Sequence, residues 1–561
     1  MSQPNLPLLP IRALDPSTEA FPKLTPAQID RARPFGRVRP VAVGDIVYDV
    51  GDAGISMFIV LSGRMEVVQP EGTGERVIDT HDPGEFTGEV NMISGRRSLV
   101  RGRVTEAGDF LEISSDNFRS LIAKDAELSE IFMRAFILRR VILITKGLGD
   151  VIVLGSTHCA GTLRLREFLG RNGHPYTYID LDKDSQAQEL LDRFNVKVGE
   201  IPVLICRGTA VLRNPTVQEV ADCLGFNNPI DESQVRDLIV VGAGPSGLAA
   251  AVYAASEGLD VLVIETTAPG GQAGSSSKIE NYLGFPTGIS GFELAARALN
   301  QAQKFGAQIM IAHGVTRLHC DRRPYQIELD NGQKLTARTV VIASGAQYNR
   351  PSIPNLSKFE GVGAYYGATN MEAQLCNAEE VIVVGGGNSA GQAAVYLSQF
   401  ASRVHILVRS GQLSDTMSRY LIDRIVSHPK ITLHYKTEIV GVEGDWHLER
   451  VQWRNNLTGE VETQPIRHVF LMTGAVPNTA WLQNCLALDD KGFILTGHDL
   501  PRNGSQKQLW PNSRPPLLLE TSLPGVFAVG DARAGNVKRV AAAVGEGSIS
   551  VHLVHLVLAE M

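Results

Sequence analysis

The chain has 561 residues, a formal net charge of −7 and 20% charged residues. A single hydrophobic core does not extend over such a length, so we expect about three or four domains. The slightly acidic balance excludes the basic surface that binding to nucleic acid requires.

The cysteines and the amino terminus indicate a cytoplasmic protein. The six cysteines are widely spaced and form neither a CxxC dithiol nor a metal knuckle, a usage typical of a reducing cytosol. The amino-terminal residues lack a basic segment followed by a long apolar run, and no run reaches the roughly 18 apolar residues of a membrane span. We therefore predict a cytoplasmic location, no membrane association and no metal site.

The amino-terminal part has the pattern of a β-roll. Short β-type runs such as "MFIVLSG" and "RMEVVQ" lie between residues 35 and 115, separated by Gly, Pro and Asp at hairpin-like intervals. Apolar residues at helical spacing then predict a helical segment over 115–142. We predict a domain over 1–142 made of this β-roll and its carboxy-terminal helices.

A nucleotide-binding cassette is recognisable within this domain. The stretch "DPGEFTGEVNMISGRRSLVRGRV" resembles the phosphate-binding cassette of cyclic-nucleotide-binding domains. The resemblance implies that backbone amides of a short helix and the Arg97 side chain hold the phosphate of cAMP or cGMP. It also implies that Glu89 holds the ribose hydroxyl and that Gly88 and Ser98 complete the cassette. The alternative is a solvated basic loop in a β-roll that binds no nucleotide.

The next segment alternates strands and helices over about 80 residues, which predicts a small α/β domain at 148–228. Predicted helices begin near 159 and run through "QAQELLDRFN" and "TVQEVADCLG". The segment resembles a thioredoxin or glutaredoxin domain, with Cys159 at the first helix start and Pro202 where that fold places a cis-proline. The resemblance implies a catalytic one-cysteine redox centre whose pKa the helix terminus lowers. The alternative is a docking domain with an inert cysteine.

Two glycine-rich loops follow, each between an apolar strand and a helix, about 145 residues apart. The first glycine loop (residues 242–247) has the form G-x-G-x-x-G, in which the glycines permit a tight turn, close approach to a pyrophosphate and helix–strand packing. Glu265 ends the next strand, where a carboxylate can accept ribose hydroxyls. The pattern predicts a bound dinucleotide, and a ligand-free strand–helix turn is the alternative.

The second glycine loop (residues 385–390) has the same context, with Ala390 in the third position. Its second strand, "RVHILV", is followed by Arg409 instead of an acid. An arginine can pair with a 2′-phosphate that a carboxylate would repel, so we predict NADPH over NADH.

Residues 237–561 resemble the thioredoxin reductase family of flavoproteins, which implies FAD on the first glycine loop. The stretches "PGGQ" and "IENYLGFP" resemble the loop that lines the flavin, and "GVFAVGDARAGNVKRVAAAVGEG" resembles the carboxy-terminal flavin motif. The resemblance implies that Asp531 holds the ribityl chain and that Val540 and Ala541 lie beside the flavin ring. The predicted cofactor-binding residues are Gly242, Gly244, Pro245, Ser246, Gly247, Glu265, Gly271, Gln272, Asn281, Asp531, Val540 and Ala541 for FAD and Gly385, Gly387, Asn388, Ser389, Ala390 and Arg409 for NADPH.

The chain departs from this family at its redox centre. The family carries C-A-T-C upstream of the second glycine loop, and this chain has Gly367-Ala-Thr-Asn370 there. Cys376 is expected to be a buried small residue. NADPH can still reduce FAD, because hydride transfer belongs to the cofactors. Disulfide reduction by the family's route is not expected.

The predicted fold is multi-domain: a β-roll, a thioredoxin-like α/β domain and two Rossmann-like α/β domains. The FAD-binding domain is predicted as two pieces, 236–350 and 480–561, which enclose the NADPH-binding domain at 351–479.

The predicted function is an NADPH-dependent FAD oxidoreductase of the thioredoxin reductase type, acting as a homodimer. Electrons pass from NADPH through FAD to a thioredoxin-like or other redox acceptor, with Cys159 as candidate relay and a cyclic nucleotide as candidate regulator. One alternative is a ferredoxin- or quinone-type NADPH reductase without disulfide chemistry. Another is a flavin-containing redox or cyclic-nucleotide sensor with little turnover.

Overall fold

The computed structural model describes residues 19–71, 74–88, 91–145, 151–183, 197–206, 210–414, 416–500 and 510–561. The contacts between residues divide the chain into two compact units, Met1–Asp150 and Val151–Met561. Glu89 and the helix predicted through "QAQELLDRFN" lie outside the described residues.

The amino-terminal unit is rich in β-structure, which confirms the predicted β-type pattern. Its strands are β1 Arg37–Val41, β2 Ile46–Tyr48, β3 Met57–Val60, β4 Arg64–Glu71, β5 Gly74–His81, β6 Arg101–Glu106 and β7 Gly108–Ile113. They form two antiparallel sheets of order β1-β7-β3 and β2-β6-β4-β5. Phenylalanines from sheet and helices fill the core, where the Phe86 and Phe132 rings meet edge to face at 4.8 Å.

The helices described in this unit are α1 Pro26–Ala32, α2 Asn91–Ser94, α3 Ser115–Lys124 and α4 Ala126–Thr145. The single helical segment predicted after the β-roll is therefore two helices, separated at Asp125. The Asp125 backbone is extended (φ −116°, ψ 104°), and its carboxylate accepts a hydrogen bond from Leu128 N at 3.0 Å. Aspartate ends one helix and caps the next because its side chain competes for backbone N–H groups.

The central segment (residues 151–226) belongs to the second unit. It contains β8 Val151–Gly155, α5 Ala160–Arg171, β9 Thr177–Asp180, β10 Val203–Cys206, β11 Ala210–Arg213 and α6 Val217–Leu224. The sheet order is β11-β10-β8-β9, with β8 and β9 parallel and the other pairs antiparallel. A capping box between Thr216 and Glu219 starts α6, and Gly225 ends it in the left-handed conformation (φ 64°).

The first glycine loop lies in a large sheet of order β14-β13-β12-β17-β16-β15, with β28 also paired to β17. Its strands are β12 Val235–Val241, β13 Val261–Glu265, β14 Gln308–Ile311, β15 Val315–His319, β16 Tyr325–Leu329, β17 Lys334–Ile342 and β28 Val526–Ala528. Its helices are α7 Pro245–Ser256, α8 Gly271–Gly274, α9 Gly291–Lys304 and, from the end of the chain, α13 Val540–Ala559. The strands β14, β13, β12, β17 and β28 are parallel, as expected for a doubly wound fold.

The second glycine loop lies in a parallel sheet of order β19-β26-β20-β21-β22. This region contains β19 Ala364–Tyr365, α10 Asn370–Leu375, β20 Glu380–Val384, α11 Asn388–Leu397, β21 Arg403–Val408, α12 Arg419–Ser427, β22 Ile431–Tyr435 and β26 His468–Leu471. An antiparallel sheet of β23 Thr437–Glu443, β24 Arg450–Asn455 and β25 Val461–Gln464 is attached to it. The short strands β18 Ala346–Tyr348 and β27 Ala475–Pro477 pair where the chain enters and leaves this region.

The carboxy-terminal helix α13 is, of the helices described, the one long and apolar enough to cross a membrane by length and composition. It packs along α7 in the second unit. The contact is close at Gly547, where a Cβ would lie 2.2 Å from the Ser246 carbonyl oxygen. The apolar composition of α13 is thus used, at least along this face, for packing against the first sheet region.

Candidate functional site

Both glycine loops open on one large cavity in the second unit, with a volume of about 2110 Å³. Typical small-molecule pockets measure roughly 300–1,000 Å³, so the cavity has room for two dinucleotides. The predicted cofactor residues that line it are Gly242, Gly244, Pro245, Ser246, Glu265, Gly271, Gln272, Asn281, Asp531, Val540, Gly385, Gly387, Asn388, Ser389 and Arg409. The other three do not line the cavity: Gly247 and Ala390 are the last residues of the two loops, and Ala541 lies in the first turn of the carboxy-terminal helix.

The first glycine loop has the shape that a pyrophosphate needs. Gly242 has φ +104°, and a Cβ there would lie 2.3 Å from the Ala343 carbonyl oxygen. At Gly247 a Cβ would lie 1.9 Å from the Gly242 carbonyl oxygen, so this glycine permits the helix to pack on the turn. Gly244 caps α7, and the nearest atom to its Cβ position is 3.9 Å away. A side chain at Gly244 would fill the space that a phosphate would occupy, so the residues fit a dinucleotide.

Glu265 is held in place by backbone N–H groups of the first glycine loop and of the residues that follow β13. Its carboxylate accepts hydrogen bonds from Ala243 N at 2.8 Å and from Thr267 N at 3.0 Å, and the residue is buried. The Thr266 hydroxyl also donates to Oε1 at 3.3 Å. These bonds fix the carboxylate at the cavity wall and leave acceptor capacity on Oε2. A carboxylate acceptor at this place suits the hydroxyl donors of a ribose.

The remaining FAD candidates lie on loops that converge from distant parts of the chain. The Gln272 side-chain amide donates to the Ala346 carbonyl, which links α8 to the strand β18. Asp531 lines the cavity at the end of β28, and burial raises the pKa of its carboxyl group. A half-buried carboxyl group that lines a cavity fits hydroxyl donors such as those of a ribityl chain. Val540 starts α13 at the same wall, whereas Ala541 is exposed.

The second glycine loop repeats the geometry of the first. Gly385 has φ +145°, and a Cβ there would lie 2.5 Å from the Met472 carbonyl oxygen. Gly387 caps α11 and is open toward the cavity, where the nearest atom to its Cβ position is 3.9 Å away. The Asn388 side-chain oxygen accepts a hydrogen bond from Ser418 N at 2.7 Å, which ties the loop before α12 to the glycine loop. Arg409 follows β21, lines the cavity and is exposed.

No thiol occupies the position of the family's dithiol. Gly367 and Thr369 line the cavity, and Thr369 caps α10 in a capping box with Glu372. Cys376 follows α10 and is fully buried, with its Sγ 3.4 Å from the Ala373 carbonyl oxygen. Burial raises the pKa of the Cys376 thiol to about 12, so its reactive thiolate form is scarce near neutral pH.

Cys159 lies at the start of α5, on the central segment. It is the N-cap residue, it is half-buried, and its side chain makes no capping hydrogen bond. The Ile201–Pro202 peptide bond is cis, and Pro202 lies against the first turn of α5, since a Cβ on Gly161 would be 2.9 Å from its Cδ. Cys159 is not among the residues that line the cavity, although its neighbour Ala160 is.

The amino-terminal cassette is described except for Glu89 and Val90. Gly88 has φ +112° and accepts a hydrogen bond from Arg139 Nη1 at 2.9 Å. Arg97 is exposed, and the Asn91 side-chain amide donates to its carbonyl oxygen at 2.8 Å. Ser98 is buried, and its hydroxyl donates to the Val100 carbonyl oxygen at 2.8 Å, so this hydroxyl is used within the loop.

The cavity also has lining residues that the sequence motifs did not indicate. Five of them lie on α5 of the central segment: Ala160, Leu163, Arg164, Glu167 and Arg171. They stand at positions i, i+3, i+4, i+7 and i+11, which is one helical face, and this pattern is the signal that could have revealed them. Among the described residues, no group of three or more His, Cys, Asp or Glu side chains could hold a metal ion.

Comparison with known proteins assigns this site to a class. Residues 236–547 match the pyridine nucleotide-disulphide oxidoreductase family, and residues 38–125 match the cyclic nucleotide-binding domain family. The first match covers more than half of the chain. The chain therefore belongs to the pyridine nucleotide-disulphide oxidoreductase family.

Within that class the similar proteins are thioredoxin reductases. The enzyme of Treponema pallidum is 33% identical over 316 residues, which is 56% of this chain and 95% of that protein. NADPH-dependent thioredoxin reductase 3 of Arabidopsis thaliana is 30% identical over 361 residues, and the match spans 61% of this chain and 64% of the plant protein. The crystal structure of Lactococcus lactis thioredoxin reductase superposes with a TM-score of 0.52 at 26% identity, covering 58% of this chain and all of that one. The T. acidophilum enzyme gives 0.51 at 27% identity, covering 58% and 99%.

These matches confirm the predicted class, a pyridine-nucleotide-dependent flavoprotein oxidoreductase of the thioredoxin reductase type. That family uses FAD and NADPH, so both predicted cofactors are confirmed at the level of the family.

Proposed function

We propose that the first glycine loop of this chain holds FAD and the second holds NADPH, as parts of one oxidoreductase. The observation that carries the proposal is the shared cavity, which both loops enter at the carboxyl ends of parallel strands. The cofactors supply the hydride chemistry when they are bound, and the chain supplies their positions. Glu265 and Asp531 would accept hydroxyl donors of FAD, and Arg409 would pair with the 2′-phosphate of NADPH.

The test is an anaerobic titration of the FAD-loaded full chain, followed by the visible absorbance of the flavin. NADPH is expected to bleach the absorbance in stoichiometric amounts, and NADH is expected to do so only at much higher concentration. An FAD-loaded protein that keeps its absorbance under excess NADPH would overturn the proposal and favour a sensor with little turnover.

The class of electron acceptor depends on whether a thiol of this chain is redox-active. We propose that the central segment is a thioredoxin-like domain and that its Cys159 is the redox thiol of the chain. The half-buried N-cap position of Cys159 supports this role, as does the packing of Pro202 against the same helix turn. Cys376 is unsuited to it, because the thiol is buried and its pKa is raised.

A reductase without disulfide chemistry is the second candidate. It is favoured by the residues at the family's dithiol position, Gly367 and Asn370, and by the absence of Cys159 from the cavity lining. In this case a one-electron carrier or a quinone would receive the electrons.

Turnover of matched variants separates the two candidates. With NADPH as donor, Cys159→Ser is expected to abolish reduction of an aromatic disulfide and to leave reduction of a soluble quinone unchanged. Cys376→Ser is the control and should leave both activities near the wild-type level. Full disulfide turnover by Cys159→Ser would remove Cys159 from the mechanism.

We propose that the amino-terminal unit binds a cyclic nucleotide at the cassette around Gly88 and Arg97, as a regulatory ligand. The exposed Arg97 guanidinium supplies a cation for the cyclic phosphate, and the Asn91 bond fixes the loop that carries it. Titration calorimetry with cAMP and cGMP tests this. Arg97→Ala should weaken binding about ten-fold or more, whereas Arg37→Ala, an exposed residue of β1 that pairs with Glu112, should not.

The homodimer and the cytoplasmic location stay predictions from the sequence. Sedimentation velocity of the full chain and fractionation of cells that express it are the measurements that test them.

A further inference from the structure

The wall of the FAD side of the cavity includes a cation that is contributed by the central segment. Arg171, in the last turn of α5, lines the cavity together with Gly242, Gly244 and Gly271. The matched family segment begins at residue 236, so α5 lies outside the part of this chain that aligns with that family. The flavin side of the cavity is therefore built from more of this chain than the family match alone covers.

The Arg171 side chain is positioned by hydrogen bonds and keeps donor capacity. Its Nη2 donates to the Gly271 carbonyl oxygen at 2.9 Å, and its Nη1 lies 3.4 Å from Glu167 Oε1. Its Nε is buried and has no hydrogen-bond partner among the described residues. The Nε of Arg166 on the same helix is also buried without a partner among those residues, so Arg171 is distinguished by its place in the cavity wall and its bond to Gly271. These two features direct its charge toward an anionic ligand.

The end of α5 also holds the loop that follows β13. The Asn172 side-chain amide donates to the Thr267 carbonyl oxygen at 3.2 Å. Thr267 N in turn donates to the Glu265 carboxylate at 3.0 Å. The end of α5, which carries Arg171, is thus hydrogen-bonded to the loop that fixes the Glu265 carboxylate at the cavity wall.

The charge balance of the first glycine loop points in the same direction. Residues 242–247 carry no charged side chain, and Glu265 adds a negative charge at the cavity wall. A dinucleotide brings an anionic pyrophosphate, for which the loop itself offers only backbone N–H groups and the terminus of α7. Arg171 supplies a cation within hydrogen-bond reach of Gly271, and this cation is also paired at 3.4 Å with Glu167.

We propose that Arg171 is a flavin-binding residue whose guanidinium contacts the pyrophosphate of the FAD held by the first glycine loop. The proposal rests on the proposed function, which places FAD on that loop. It makes the central segment part of the cofactor site, in addition to any role of Cys159.

The experiment measures FAD binding by the full chain after removal of the flavin, using quenching of flavin fluorescence. Arg171→Met keeps most of the side-chain length and removes the charge, so it is expected to raise the FAD dissociation constant about ten- to a hundred-fold. The salt dependence of binding should become weaker in this variant, because one ion contact is lost. Arg171→Lys should retain part of the affinity.

The matched control is Arg166→Ala. Arg166 lies on the same helix, but its guanidinium stacks on the Tyr178 ring at 4.0 Å and does not line the cavity. Its removal should leave the FAD dissociation constant unchanged. Thermal unfolding of the flavin-free variants shows whether either substitution damages the fold.

Four outcomes of these measurements would overturn a proposal. An Arg171→Met protein that binds FAD within about two-fold of wild type, with unchanged salt dependence, overturns the role of Arg171. An equal loss of affinity in Arg166→Ala also overturns it in favour of a packing role. The same conclusion follows if the flavin-free Arg171→Met protein is unfolded and Arg171→Lys shows no recovery of affinity. A wild-type chain that binds no FAD overturns the proposed function itself.

Discussion

The two glycine loops form the same backbone turn, and the two regions differ in the charge of the side chain at the end of the second strand. Gly242 and Gly385 both have positive φ, and at each a Cβ would collide with the carbonyl oxygen of a neighbouring strand end. The turn therefore requires glycine in both loops for the same steric reason. The difference lies elsewhere: Glu265 ends the second strand of the first region, and Arg409 follows the second strand of the other.

This comparison separates the residues that form the turn from the residue that selects the ligand. Backbone collisions set the turn, and they depend only on the strand and helix around it. In the proposed binding mode the side chain at the end of the second strand meets the ribose, so a single substitution there should change the nucleotide without changing the fold. At the third position of the glycine pattern the two loops differ, with Gly247 in one and Ala390 in the other. Glycine is therefore required there in the first loop and not in the second.

The largest effect is expected from Gly247→Ala. The new Cβ would lie 1.9 Å from the Gly242 carbonyl oxygen, so α7 and the turn must move apart. Such overpacking costs roughly 1–3 kcal/mol or more, and the displaced loop should lose its FAD. Thermal unfolding and the flavin content of the purified chain measure both effects.

Gly545→Ala is the control for this substitution. Gly545 is also a helical glycine, in α13, and no atom lies within 4 Å of its Cβ position. Alanine there should leave the stability equal or raise it by up to about 1 kcal/mol. A stable, flavin-loaded Gly247→Ala protein would contradict the close helix–turn packing.

Arg409→Glu tests whether the side chain at the end of the second strand selects the nucleotide, because it places a glutamate where the first region has Glu265. The preference for NADPH over NADH, as a ratio of kcat/KM values, is expected to fall about a hundred-fold, because an attraction to the 2′-phosphate becomes a repulsion. Arg403→Ala, at the opposite end of β21, should leave the ratio unchanged. An unchanged ratio in Arg409→Glu would show that another residue selects the nucleotide.

Gly244→Ala should separate binding from folding. The nearest atom to its Cβ position is 3.9 Å away, so the flavin-free protein should unfold at the wild-type temperature. The methyl group would occupy the space needed by the pyrophosphate, and the FAD dissociation constant should rise about ten-fold. Fluorescence titration with FAD measures the second effect. A lower unfolding temperature of the flavin-free variant would mean that Gly244 is needed for packing as well.

The sequence allowed the parts of the site that depend on local spacing to be predicted. The glycines, Glu265 and Arg409 are set by strand–loop–helix patterns that span fewer than about 30 residues, and fifteen of the predicted cofactor residues line one cavity. Ser98 is different, because the direction of its hydroxyl depends on the local course of the loop, and it bonds to Val100.

Contacts between distant segments could not be predicted in this way. Arg171 and Gly271 are 100 residues apart, and no motif connects them. A helical face of polar and apolar residues on α5 is visible in the sequence, but nothing local shows which surface it meets. The break at Asp125 was missed for a related reason, since both helices have the same apolar spacing and only the capping bond to Leu128 separates them.

The smallest effect is expected from Ala390→Gly, which converts the third position of the second loop into that of the first. Ala390 is fully buried, so the space between α11 and the turn already holds a methyl group. Glycine there adds flexibility to α11 and leaves a small gap, which should lower stability by about 1 kcal/mol. Thermal unfolding should register this change, while KM for NADPH should stay within about two-fold of wild type, because Ala390 does not line the cavity. A large rise in KM would mean that α11 moves closer to the turn when the methyl group is removed, so that the spacing of the second loop is set by Ala390 and not by the strands around it.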